Sequence, residues 1–196
     1  MPRLAPLPPE HTPALKPHFD FFLGTLGFTP NSVLTMQRKP KLAMALATMN
    51  AAVMDPAGEV DLVFRRLIGH VVSKVSGCLY CQAHTLLGAQ NFGVSAEKLA
   101  DIWSYAQSPQ YSAKERLALD FALAASSQPN AVTDEQFKEL QQHWSDNEIV
   151  EILGVVAMFA FLNRWNDTMA TPLEAVPTEV ATKAVGAQGW TTGKHG

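Results

Sequence analysis

The 196-residue sequence predicts an all-α protein. Three observations carry that class: apolar residues recur at helical spacing along most of the chain, several of these runs follow Ser/Thr-x-x-Glu/Gln start signals, and no segment alternates as a half-buried strand would. No tandem repeat of the kind that builds a solenoid is visible.

The elements can be justified in order. Pro2, Pro6, Pro8, Pro9, Pro13 and Pro17 make residues 1–17 an extended arm able to wrap a neighbour. A helix is expected from His18, with Phe19, Phe22, Leu23 and Leu26 on its apolar face and Gly27 as its C-cap. Pro30 precedes a short helical turn, and Pro40 opens a helix over Lys41 to Val53. After the break at Asp55-Pro56-Ala57-Gly58, Glu59 to Ser76 forms a longer helix with Val60, Phe64, Leu67, Val71 and Val75 along one stripe. Gly77 ends it, and the next helix runs from Leu79 to Asn91. Ser95 caps another, and Ser112…Glu115, Thr133…Gln136 and Ser145…Glu148 fit capping boxes. The last helix is expected over Asn147 to Met169. The single domain spans 18–176, and residues 177–196 form a tail without periodicity, mobile or docked on a partner.

Composition narrows the function classes. An apolar fraction of 47% and a charged fraction of 17% describe a globular chain with a large core. A chain of this length buries roughly 70% of its unfolded surface and needs no disulfide or metal to fold. The net charge of −3, with no Lys/Arg run, argues against nucleic acid and anionic membranes as partners. No apolar run approaches the ~20 residues of a membrane-spanning helix, and the first residues lack a signal-peptide core, so the expected location is cytoplasmic.

The chemistry concentrates at Gly77-Cys78-Leu79-Tyr80-Cys81-Gln82-Ala83-His84-Thr85, which holds both cysteines of the chain. A Cys-x-x-Cys pair at a helix start can close a small reversible disulfide, and the helix N-terminus or a nearby histidine can hold one thiol as the thiolate. In the cytoplasm such a pair points to catalysis or metal binding; no second Cys/His pair with ligand spacing accompanies it, so no metal and no cofactor are expected. On the helix, residues 81, 84 and 85 share a face, which puts His84 or Thr85 one turn from Cys81. His84 is the natural proton carrier, its ordinary pKa lying near 6.5. The preceding helix adds a polar stripe of Arg66, His70, Ser73 and Gly77 leading to the cysteines. Arg66 would favour a thiolate by its charge, and His70 would relay a proton. His11, His18, His143 and His195 have no such company and are expected to be exposed. The polar cluster Asn163-Arg164-Trp165-Asn166-Asp167 in an apolar helix reads as a subunit or core hydrogen-bond network.

With these residues assembled, the chain resembles the alkylhydroperoxidase D / carboxymuconolactone decarboxylase-like superfamily, closest to its peroxidase-related branch. The resemblance covers about His18 to Val176. It rests on the order and spacing of Leu26-Gly-Phe-Thr-Pro-Asn-Ser32, Val72-Ser-Lys-Val-Ser-Gly-Cys-Leu-Tyr-Cys-Gln-Ala-His-Thr85, Ser112-Ala-Lys-Glu-Arg-Leu-Ala-Leu119 and Phe161-Leu-Asn-Arg-Trp-Asn-Asp167. It implies an alkylhydroperoxidase D-like all-α helical bundle that assembles as a homo-oligomer, a trimer or hexamer. It also implies a redox pair at Cys78 and Cys81 served by a glutamate and a histidine. The family histidine falls four residues after the second cysteine, at Thr85, with His84 one position earlier. The relay glutamate falls at Arg66. A guanidinium cannot accept a proton, so His70 is expected to take over the relay while Arg66 holds a thiolate or an anionic substrate group.

The expected function is a thiol-dependent peroxidase or disulfide reductase, with a small organic hydroperoxide as substrate and an external dithiol as reductant. A lactone decarboxylase-like lyase and a non-catalytic redox-responsive oligomer are the alternatives.

Overall fold

The computed structural model describes all 196 residues and contains ten α-helices, several short 3-10 turns and no strand. The helices are α1 (Lys16–Leu26), α2 (Asn31–Met36), α3 (Pro40–Val53), α4 (Leu62–Val75), α5 (Leu79–Asn91), α6 (Ala96–Ala100), α7 (Ala113–Ser126), α8 (Asp134–Gln141), α9 (Asp146–Met169) and α10 (Ala175–Val185). None is long and apolar enough to cross a membrane.

The caps set the boundaries. Ser112 and Ser145 form reciprocal capping boxes with Glu115 and Glu148, while Thr133 caps α8 through its hydroxyl alone. α4 begins three residues later than the expected Glu59 because the Asp61 carboxylate accepts from the Phe64 N–H and takes the N-cap. Gly27 ends α1 in the left-handed region at φ 83°. Gly77, at φ 68°, turns the chain from α4 into α5 in the same way.

α4 is the central element and packs against α5, α7 and α9. Val60, Phe64, Leu67 and Val71 of the expected stripe are buried, whereas Val75 at its end reaches solvent. Gly69 lies where α4 crosses α9; a Cβ there would come within 2.5 Å of the Phe159 ring, so only glycine permits this approach. A smaller core made by Leu15, Phe19, Val33, Leu34, Met36, Ala43 and Leu46 sits beside the main one.

Both terminal segments pack on their own chain. The proline-rich arm lies on its own chain: the Arg3 and Leu7 N–H groups donate to Met169 and Leu34, Arg38 donates to the Ala5 carbonyl, and Leu15 is buried. The segment beyond Pro177 is ordered and packed. α10 lies against α5, Trp190 and His195 are buried, and the His195 carbonyl accepts from the Leu173 N–H. Pro177 fits because it occupies the first turn of α10, where its missing N–H has no helical partner to lose. His195, expected to be exposed, is instead held by its Nδ1, 2.8 Å from the Thr171 carbonyl.

Candidate functional site: a dithiol at the edge of an apolar cavity

Cys78 is the N-cap of α5 and Cys81 lies in its first turn. Extended backbone at Cys78 lets its sulfur accept the Cys81 N–H at 3.5 Å, so the positive end of the helix faces this thiol. The two cysteines approach to 3.4 Å, neither forms a disulfide, and both are buried. The Cys81 thiol donates to Cys78 and pulls the Cys78 thiol below its ordinary value, against the opposing effect of burial. Burial and that same donation push the Cys81 thiol up, while the Asn166 amide, 3.4 Å from its sulfur, pulls the other way. These directions favour Cys78 as the thiolate of the resting pair, with the Cys81 proton shared across the short separation between them.

The sulfurs differ in access. Cys81 lines a recess of about 660 Å³, counting its open mouth, and Cys78 does not. The recess lies on the seam between the two cores. Phe22, Leu26, Val33 and Leu46 come from α1 to α3, Phe159 and Leu162 from α9, and Arg66, Tyr80, His84 and Thr85 from α4 and α5. Its wall is mainly apolar, with polar groups at a few points, as small-molecule sites are.

His84 stands in this wall. Its Nε2 is 2.7 Å from Glu174 Oε2, and its ring stacks on Tyr80 with centroids 4.2 Å apart. Glu174 Oε1 accepts from the Tyr80 hydroxyl at 3.0 Å and from the Asn31 N–H at 2.6 Å. Burial would raise the Glu174 carboxyl, but the His84 interaction and the donated hydrogen bonds outweigh it and hold it below the usual carboxylate range. Glu174 thus orients His84, as a carboxylate orients a catalytic imidazole elsewhere.

His70 is not placed as a relay to the thiols. It is fully buried outside the recess, and the Trp103 indole N–H donates to its Nε2 at 2.8 Å. The ring proton is therefore on Nδ1, which faces Thr85 Oγ1 at 3.0 Å and the Gln82 carbonyl at 3.2 Å. Burial lowers its pKa to about 4 and leaves it neutral. Both nitrogens are committed, and the groups they meet are Trp103, Thr85 and a carbonyl, not a sulfur. Thr85, at the family histidine position, donates to the Cys81 and Gln82 carbonyls and stiffens the first turns of α5.

Arg66 does reach the recess. Its guanidinium lies over the Phe92 ring at 5.3 Å, and its buried Nε has no hydrogen-bond partner. Desolvation, then the neighbouring Arg65 charge, lowers its pKa to about 10. In the Asn163–Asp167 cluster, Asn166 serves the site directly, bridging Cys81 and the Thr171 hydroxyl. Sequence reasoning missed Glu174, Tyr80 and Asn166 as site residues. Asn166 carried a signal as a polar residue in an apolar helix; Glu174 carried none.

Residues 40–124 match the model of the carboxymuconolactone decarboxylase family. The fold is similar to that of the debrominase Bmp8 in its apo form, with 32% identity, 92% of this chain and 97% of that chain covered, and a TM-score of 0.87. A cysteine-to-alanine variant of Bmp8 in complex with 2,3,4-tribromopyrrole matches equally well, at 31% identity and TM-score 0.87. A peroxidase-related protein from Silicibacter sp. TM1040 shares the fold at 23% identity and TM-score 0.75, over 89% of this chain and 90% of that one. Among sequences, YnjA of Escherichia coli (strain K12) is 28% identical over 117 residues, 60% of this chain; the match spans 64% of YnjA, just under two thirds of its length. The helical order, the Cys-x-x-Cys pair at the head of α5 and these matches agree: the chain belongs to the alkylhydroperoxidase D / carboxymuconolactone decarboxylase-like superfamily.

Proposed function

We propose that the protein is a two-cysteine reductase of small organic hydroperoxides, with Cys81 as the attacking thiol and Cys78 as the resolving one. One observation carries the assignment: Cys81 opens on the recess, and Cys78 lies directly behind it at 3.4 Å.

The reactive form is the minor one, in which the shared proton has moved from Cys81 to Cys78 and leaves Cys81 as the thiolate facing the substrate. Its sulfur attacks the terminal peroxide oxygen and the O–O bond breaks. Cys81 becomes the sulfenic acid, and the alkoxide leaves with a proton delivered through His84. Cys78 then gives up its proton and attacks the Cys81 sulfur. The S–O bond breaks, water departs and the disulfide remains. The sum is hydroperoxide plus two thiols to alcohol, water and disulfide. An external dithiol restores the pair by exchange. His84, oriented by Glu174, supplies the proton route that the absent glutamate at position 66 cannot. Exposed Val150, Leu153 and Phe161 on α9 fit the expectation of a homo-oligomer.

Dithiothreitol-dependent consumption of cumene hydroperoxide tests this reading: turnover in the wild type that disappears in both Cys78→Ser and Cys81→Ser supports it. Wild-type protein with titratable thiols and no turnover refutes it.

A second reading is favoured by the likeness to Bmp8. The same dithiol would remove a halogen from an electron-rich ring: Cys81 takes the halogen as a sulfenyl halide, the ring carbon gains a proton, and Cys78 displaces halide to form the disulfide. Bromide release from polybrominated pyrroles in the presence of dithiothreitol distinguishes the two.

A further inference from the structure

Arg66 is the one charged side chain lining the recess that has no counter-charge. The one charge that acts on it is Arg65, a cation that lies outside this wall, and no carboxylate contributes to its environment. Its Nε is buried without a partner, and the Phe92 ring covers one face of the guanidinium. A desolvated guanidinium left unpaired is costly, and proteins normally satisfy it. Arg65, its neighbour in sequence, shows the satisfied case with three backbone carbonyls at 2.8–2.9 Å. The buried Nε is closed off, but the side chain is partly exposed where it lines the recess, so its terminal guanidinium nitrogens are left for a ligand there.

The placement also gives a length. The Arg66 stem packs against Gly88, where an added Cβ would meet its Cδ at 3.4 Å. From Cys81 to Gly88 the axis of α5 advances about 10 Å, so the guanidinium sits well removed from the reacting sulfur. The wall between them is largely Phe, Leu and Val side chains. A substrate that meets both ends must carry a negative group at one end, an apolar body, and the reducible atom at the other.

We propose that the recess selects monoanionic amphiphiles, with a carboxylate or similar acid group paired to Arg66 and the electrophilic atom held against Cys81. The selection rests on the reductase reading only for the identity of the reducible group; the anion site itself does not require it. Guanidinium and carboxylate pair through two parallel N–H···O bonds, so the preference is geometric as well as electrostatic. Small neutral peroxides enter the same recess without this anchor.

The test separates anion recognition from chemistry by using unreactive ligands. Binding of 4-isopropylbenzoate and of its neutral isostere 4-isopropylbenzamide is measured calorimetrically at low salt, on the reduced protein. The wild type is expected to bind the benzoate at least tenfold more tightly. Arg66→Met should abolish that preference and Arg66→Lys should retain part of it, with melting curves confirming that both variants fold. Equal binding of the two ligands by the wild type, or a preference that survives Arg66→Met, overturns the proposal. If benzoate binding depends on Arg66 while cumene hydroperoxide is not consumed, the anion site stands and the peroxidase chemistry falls.

Discussion

Arg65 and Arg66 are adjacent on α4 and have opposite fates. Arg65 is fully buried and donates to the carbonyls of Val60, Val53 and Asp55, locking the chain break before α4 to the helix itself. Arg66 turns to the recess and leaves a buried donor unused. The two histidines repeat the contrast. His70 is closed between Trp103, Thr85 and Gln82, whereas His84 keeps one side on Glu174 and the other on the recess. A completed buried network holds the fold. The incomplete one lines the recess.

The comparison breaks first on stability. Arg65→Met strands three carbonyls and should cost about 3 kcal/mol or more in urea unfolding, whereas Arg66→Met removes no hydrogen bond and should stay within about 1 kcal/mol of wild type. Equal losses would show that both arginines are structural.

His70 supplies a pH test of the same size. Its folded pKa of about 4 lies below the unfolded 6.5, so its contribution is full above pH 6.5 and is lost as pH falls toward 4. The gap between those values corresponds to about 3 kcal/mol. His70→Gln should flatten that part of the stability profile in urea titrations; an unchanged slope would mean that the ring is not held neutral.

On the open side the effect should appear in turnover. His84→Asn is expected to lower cumene hydroperoxide reduction by about 100-fold with little change in melting temperature, since proton delivery is lost while packing is kept. Turnover within a factor of three of wild type would remove His84 from the mechanism.

Glu174 gives the smallest signal. Its carboxyl is held below the usual range, so the stability it adds is present above the ordinary carboxylate pKa and fades as pH falls through the lowered one. Glu174→Gln should remove that acid-side dependence and reduce turnover through a misoriented His84. A melting temperature that still falls identically below pH 5 would contradict this.

How much of this was legible in the sequence follows the range of the forces. Caps, helix periods and the glycine at 77 are local, so α5 appears at its expected bounds and both serine capping boxes are present. The cysteine pair is local too. Glu174 meets His84 across ninety positions, from the segment just before a stretch whose sequence lacks a helical stripe. α10 forms because it packs on α5, with Pro177 tolerated in its first turn, and neither fact is visible in a window of residues. His70 misled for a related reason: its spacing on α4 points toward the cysteines, but Trp103, thirty-three residues on, claims its free nitrogen.

The asymmetry of the two thiols is the central claim, and sulfenic acid trapping reads it directly. One equivalent of cumene hydroperoxide is added to reduced Cys78→Ser and Cys81→Ser proteins with dimedone present, and the adduct is located by mass spectrometry. The account predicts a rapid adduct on Cys81 in Cys78→Ser and none on Cys78 in Cys81→Ser. An adduct on Cys78 at equal or greater rate would contradict it.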